Sequence, residues 1–238
     1  ENPFADAGRT YNQIQAATGL DGLDQTAGSD ALAVYNRLLM LSGDQARAAF
    51  DLASGEVHAG APHLARELSR LFTGAMRDRA LSGLAASAPA PVFVPLGYGP
   101  SGSPNAPYVA SVPDAAWIAP LAGGGGIDGD GNAADLDWRA GGLAGGYQGG
   151  GFTGRGRYAA GVAFGYLHGT ADVDARLSGI DADSLNLGLY GAWTDDVWTL
   201  SGAAAYTAAS IDTRRRVVFG GLDRVAEADY WNHAVGLS

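Results

Sequence analysis

The residues best able to do chemistry in this chain are its acids and histidines, and their spacing rules out most of what they could do. Asp128, Asp130 and Asn132 alternate like the opening of a calcium loop. The sixth position of such a loop needs glycine and the twelfth a bidentate Glu; here they are Ala133 and Arg139, so the segment reads as a solvated surface loop. His58 and His63 stand five apart with Pro62 between them, so they do not share a helix face as a zinc pair would. Residues 124–129 and 149–154 formally match a dinucleotide-binding glycine pattern, but neither opens a helical stretch, which a phosphate site requires. With 37 glycines, chance matches of this kind are expected. No Gly-x-Ser-x-Gly elbow occurs. Asp172, Asp174, Asp212 and His168 would make an acidic catalytic rim only if strand ends brought them together. The reading is therefore of no catalytic, cofactor or metal site, and of a protein that is not an enzyme.

Four arginines are arranged more regularly. Leu64, Leu68, Leu71, Phe72 and Met76 make one stripe of a helix, and Arg66, Arg70, Arg77 and Arg79 line its other side. The elements that position them fall into three segments. Residues 1–83 read as helical, with Ser29 capping a helix over 30–41, Asp44 capping a short one through Ala53, and Pro62 opening a third. Residues 84–116 are a Pro/Ala/Gly-rich linker, with prolines at 89, 91, 95, 100, 104, 107 and 113 that exclude helix interior and central strand. From Trp117 the pattern changes to strands, read at 117–126, 137–148, 156–170, 183–193, 197–212 and 224–238.

The third of these carries the clearest signal. Tyr158, Ala160, Val162, Phe164, Tyr166 and His168 occupy one face, while the other holds Ala159, Gly161, Ala163 and Gly165, with Leu167 the bulky exception. A soluble sandwich puts polar residues, not glycine, on its outer face. A large apolar face with an almost empty one behind it suits a membrane-embedded barrel. The connections 127–136, 171–182 and 213–223 read as long and polar, and 149–155 and 194–196 as short, the asymmetry of outer-membrane barrels. Trp117, Trp138, Trp193, Trp198 and Trp231 fall near strand ends or within strands, as an interfacial aromatic girdle requires. The fold class is thus α+β: a helical segment, a linker, and antiparallel strands of a transmembrane up-and-down barrel.

The net charge of −10, with every basic residue an Arg, leaves no basic stripe for nucleic acid. No stretch approaches the length of a spanning helix. Residues 1–8 have neither the basic start nor the apolar core of a signal peptide, so a secretion signal is expected upstream and the chain reads as an excerpt.

Several pieces, in order, resemble the C-terminal translocator of autotransporters, the self-secreting proteins of Gram-negative bacteria. They are Ala-Ser-Gly-Glu-Val-His-Ala at 53–59, followed by an Arg-bearing helix and a Trp-initiated first strand; then Asp-Gly-Asp-Gly-Asn-Ala at 128–133, Gly-Val-Ala-Phe-Gly-Tyr at 161–166, Leu-Gly-Leu-Tyr-Gly-Ala-Trp at 187–193 and Gly-Ala-Ala-Ala-Tyr at 202–206. The resemblance covers residues 30–238. It implies a twelve-stranded barrel with a helix threaded through its pore, of which six strands are present here. It also implies anchoring in the outer membrane and transfer of the chain's own N-terminal passenger to the cell surface. The implied partners are outer-membrane lipid, the passenger, and the periplasmic chaperone and barrel-assembly machinery, with the long loops outside the cell. In that setting Glu56 is expected to cap or pack at the junction between passenger and translocator, and the four arginines to pair with acids of the lumen. The competing readings are an outer-membrane barrel enzyme with an acidic rim and a soluble, secreted β-rich binding module.

Overall fold

The computed structural model describes residues 3–85, 115–153, 156–195 and 197–238. The expected linker at 84–116 lies almost wholly outside them. Four helices, α1 (Tyr11–Asp21), α2 (Asp30–Leu39), α3 (Gly43–Ala53) and α4 (Val57–Ala85), precede six strands. The strands are β1 (Ala115–Ile127), β2 (Leu136–Thr153), β3 (Gly156–Val173), β4 (Ser178–Thr194), β5 (Thr199–Phe219) and β6 (Leu222–Leu237). They form one open antiparallel sheet in sequence order.

Local chemistry explains where the helices begin. Ser29 caps α2 as its position suggests, its hydroxyl accepting the Leu32 N–H at 3.0 Å. The cap of α3 is Ser42, which forms a capping box with Gln45; Asp44 lies inside the first turn, where a carboxylate favours the helix dipole. Thr10 and Gln13 make the same box for α1. Pro62 does not open α4. The helix starts earlier because the Gly55 and Glu56 carbonyls already accept the His58 and Ala59 N–H groups, at 3.0 and 2.9 Å. Pro62 then sits in the second turn on the exposed side.

Two of the three long connections prove to be mostly strand. Residues 171–173 and 178–182 extend β3 and β4, leaving a short 3-10 turn over Asp174–Arg176. Residues 213–219 and 222–223 extend β5 and β6 around the two-residue turn Gly220-Gly221, whose φ values of +50° and +75° are those a tight hairpin needs. Their outward residues, among them Asp172, Asp181, Arg214 and Arg216, are exposed and polar, while Ala171, Val173, Ile180, Ala182 and Thr213 stay buried on the inner face. Their register continues unbroken from Thr207↔Ala234 to Phe219↔Leu222.

The alternation predicted for β3 extends across the sheet. On one face the rows read Tyr158↔Trp193↔Leu200, then Phe164↔Leu187↔Tyr206↔Val235, then Leu143↔Tyr166↔Leu185. All of these large side chains point away from the protein, and Leu187, Leu189, Phe164 and Leu200 are each more than 60% exposed. The opposite face is small or apolar and buried against α4. Trp193, Trp198 and Trp231 lie on the exposed side, whereas Trp117 and Trp138 share the face of buried Ala119 and Leu136 and pack with the α4 core. Trp117 and Trp138 therefore fall outside the expected girdle, and only the other three stand on the outward face that it requires.

Helix α4 touches all six strands, β3, β4 and β5 most closely. Strands ~4.8 Å apart put β1 and β6 about 24 Å from one another, while a helix is about 10–12 Å wide. Contact with every strand therefore requires the sheet to wrap around the helix.

Candidate functional site

The site is the concave face and the helix it holds. In α4, Leu64, Leu68, Phe72, Met76 and Ala80 recur every four residues and are all fully buried. The strands meet them with glycine and alanine. A methyl group added at Gly165 would lie 2.9 Å from the Phe72 ring, and one at Gly169 would lie 3.0–3.1 Å from Leu68 and Leu64. Gly188 is occluded in the same way by the Met76 thioether. The contact is also made from the helix side: Gly60 is approached by Leu136, and Gly83 by Gln148. The emptiness of the inner face is thus what lets the helix backbone come close. Beside it, Thr207 donates to Asn186 at 2.7 Å and Asn186 to Ser184 at 3.1 Å, a buried polar ladder whose members satisfy one another.

The arginines divide into two groups. Arg66, Arg70 and Arg77 stand on the side of α4 that the six strands leave uncovered. Arg66 lies 2.9 Å from the His63 ring and Arg70 donates to Glu67 at 3.2 Å. Arg79 points the other way and is 4% exposed. Its guanidinium lies 6.0 Å from the Trp117 ring centre, and Trp117 in turn donates to the Tyr190 hydroxyl at 2.8 Å.

At the end of the sheet where α4 begins, α1–α3 form a cap. Phe50, Ala49, Leu38 and Ala17 make a second core with Phe219 and Leu222 of the β5–β6 hairpin. The cap is bonded to each of the three connections at that end. The Asn12 backbone N–H donates to Asn132 Oδ1 at 2.7 Å and its amide returns to the Asn132 carbonyl. Arg37 donates to the Gly220 carbonyl at 2.9 Å. Glu56 accepts the Ala134 N–H at 2.6 Å with one oxygen and Arg176 Nε at 2.9 Å with the other, while Arg176 also reaches Asp51 at 3.4 Å.

The remaining candidates do not assemble. Asp130 is used by its own loop: the Ala133 and Asn132 N–H groups bond its carboxylate and hold it below the usual carboxylate range. No group of three acids or histidines is placed to hold a metal among the described residues. His168 bonds Asp183 at 3.0 Å, not the acids proposed for a rim. Asp212 lies two strands away from it, about 10 Å across the sheet. Residues 124–127 and 149–153 of the glycine patterns run as strand.

The autotransporter β-domain family model matches residues 116–238, just over half of the chain and all but the first residue of the described sheet. The chain belongs to the autotransporter β-domain family. No curated protein and no solved structure gave a match. Autotransporter β-domains translocate an N-terminal passenger across the Gram-negative outer membrane, and the six-stranded sheet is consistent with part of such a barrel. In this member of the autotransporter β-domain family, the sequence singled out Glu56 and the four arginines ahead of the sheet, but not Arg176, a lone basic residue amid aspartates, nor Trp117 and Tyr190 as neighbours of Arg79. Facing positions on β1 and β4 become visible only once the register is known.

Proposed function

We propose that residues 115–238 form barrel wall of an autotransporter, with the large-residue face in lipid, and that α4 is the helix held in the pore after the passenger has passed. The observation that carries this reading is a 29-residue helix laid along a glycine- and alanine-lined concave face in a chain of this family. At 1.5 Å per residue α4 is about 43 Å long, enough to cross the whole bilayer. It runs from the cap toward the starting end of β1, so the cap and the connections 128–135, 174–177 and 220–221 lie on the cell surface and the start of β1 at the periplasm. Edges β1 and β6 have no place in hydrocarbon unless further strands pair with them. The closing wall then faces Arg66, Arg70 and Arg77, and its acids are their proposed partners. Assembly of such a wall fits delivery by the periplasmic chaperone and barrel-assembly machinery.

The test uses the full-length protein in planar bilayers. Arg66→Glu, Arg70→Glu and Arg77→Glu together are expected to loosen the helix, raising pore conductance and lowering thermal stability. Conductance and stability both equal to those of the unaltered protein would overturn the arrangement.

A further inference from the structure

The stripe that seats α4 repeats every four residues, so it says little about how far along its axis the helix should sit. Sliding α4 by one turn replaces Phe72 over Gly165 with Leu68 or Met76, and Met76 over Gly188 with Phe72 or Ala80. Within the stripe each exchange sets an apolar side chain on a small residue, so the stripe itself distinguishes these registers weakly, and only the notches at Gly60 and Gly83, which meet the movable side chains of Leu136 and Gln148, add to it. One-turn ratchets of one element past another are a recognised kind of transition for this reason.

Arg79 breaks the degeneracy. It is buried on the sheet side, and among the described residues no carboxylate pairs with it. What it meets is the Trp117 face, and its charge also bears on the Tyr190 phenol, which is itself tied to Trp117. Gly161 makes room for this: the Tyr190 ring lies across it, 2.5 Å from where a methyl group would be. One turn further along α4, Gly83 rests on Gln148, so the next position accepts no side chain. A slip toward the cap would carry Arg79 to the place of Ala75, a full turn away from the Trp117 face that now receives it. The opposite slip would leave Ala75 over the aromatic pair. Burying a charge without its partner is costly, and a single buried polar group is the best-attested way of fixing register in an otherwise apolar seam.

We infer that Arg79 sets the axial position of α4, and that Trp117 and Tyr190, with Gly161 between the strands, form a receptor for one guanidinium. Arg79 is thus a positioning residue for the end state of translocation. The inference rests on α4 being the pore helix, and the experiment separates the two claims.

The chain has no cysteine, so introduced pairs report cleanly. In outer membranes carrying the full-length protein, Gly165→Cys is combined in turn with Leu68→Cys, Phe72→Cys and Met76→Cys, and disulfide yield is read with Arg79 intact. Only the 72–165 pair is expected to close. Failure of that pair to close would contradict the pore-helix reading itself. With Arg79→Leu, or with Trp117→Leu, which empties the receptor without touching the helix, yield is expected to shift to the 68–165 or 76–165 pair. Arg79→Lys, which keeps a cation over Trp117, is expected to retain the 72–165 pair. A pattern unchanged by both Arg79→Leu and Trp117→Leu would overturn the register role, as would Leu holding the register where Lys loses it.

Discussion

Glu56 shows how one side chain can join distant parts of the chain. Its two oxygens are divided between the Ala134 N–H, 78 residues away, and Arg176, 120 residues away. Both charged side chains are nearly buried, at 11% and 13% exposure, so little water is available to replace a lost partner. Asp51 extends the network to Gln13, which donates to it at 3.1 Å. Glu56→Gln keeps the shape and removes the charge. It is expected to cost about 1.5–3 kcal/mol, the range for hydrogen bonds to charged groups. The loss should appear as faster hydrogen exchange at Ala134 and in α3, with Arg176→Gln adding less than its separate effect. Exchange at those amides equal to that of the parent would show that the network carries no weight. The sequence marks Glu56 as notable but is silent about its partners, because nothing local distinguishes the arginine that a hairpin 120 residues later will deliver.

At the level of elements, the strands were legible where the outward face is apolar and illegible where it turns polar. The core of each strand, such as 158–168 or 185–193, carries the period-two pattern, and its facing rows follow from it. Beyond Asp212 the outward residues Arg214 and Arg216 are charged and the inward Thr213 and Arg215 are polar too, with Val217 the first apolar one, so the stretch reads as loop. The turn signal was nevertheless present, since Gly220-Gly221 between Phe219 and Leu222 is a two-residue hairpin connection. That extension has a purpose in the structure: it carries Phe219 and Leu222 up to the cap and gives α1–α3 something apolar to fold against. The cap should therefore depend on the hairpin tip more than on its own helices. Phe219→Ser together with Leu222→Ser removes two large apolar side chains from that core, a change of about 2–5 kcal/mol for each large-to-small substitution. Proteolysis of α1–α3 in intact cells is expected to accelerate strongly while the sheet stays whole. Equal protease resistance of the cap in parent and variant would show that it stands without the hairpin.

Across the whole molecule, the two faces of one sheet differ: one carries large exposed apolar side chains and the other packs on α4. The apolar rows run from Tyr158 to Tyr166, about 26 Å along the strand and about 20 Å in height at a tilt near 40°. Above them the facing residues become His168 and Asp183, then Thr170, Asp181, Asp212 and Asp229, a change from apolar to charged and polar side chains within two rows. Behind the same strands lie α4 and its glycine-lined groove. This division follows from the sequence pattern, but the object filling the groove does not, since an empty face is equally compatible with water. The most direct test is a nitroxide scan of β4 from Leu185 to Tyr190, one labelled cysteine at a time, in the full-length protein in outer membranes. Leu185, Leu187 and Leu189 should collide readily with oxygen dissolved in the bilayer, while Asn186, Gly188 and Tyr190 should be shielded from both oxygen and water-soluble quencher, giving a period of two. Uniform access to the water-soluble quencher along the strand, or no alternation at all, would contradict a sheet that stands between lipid and a seated helix.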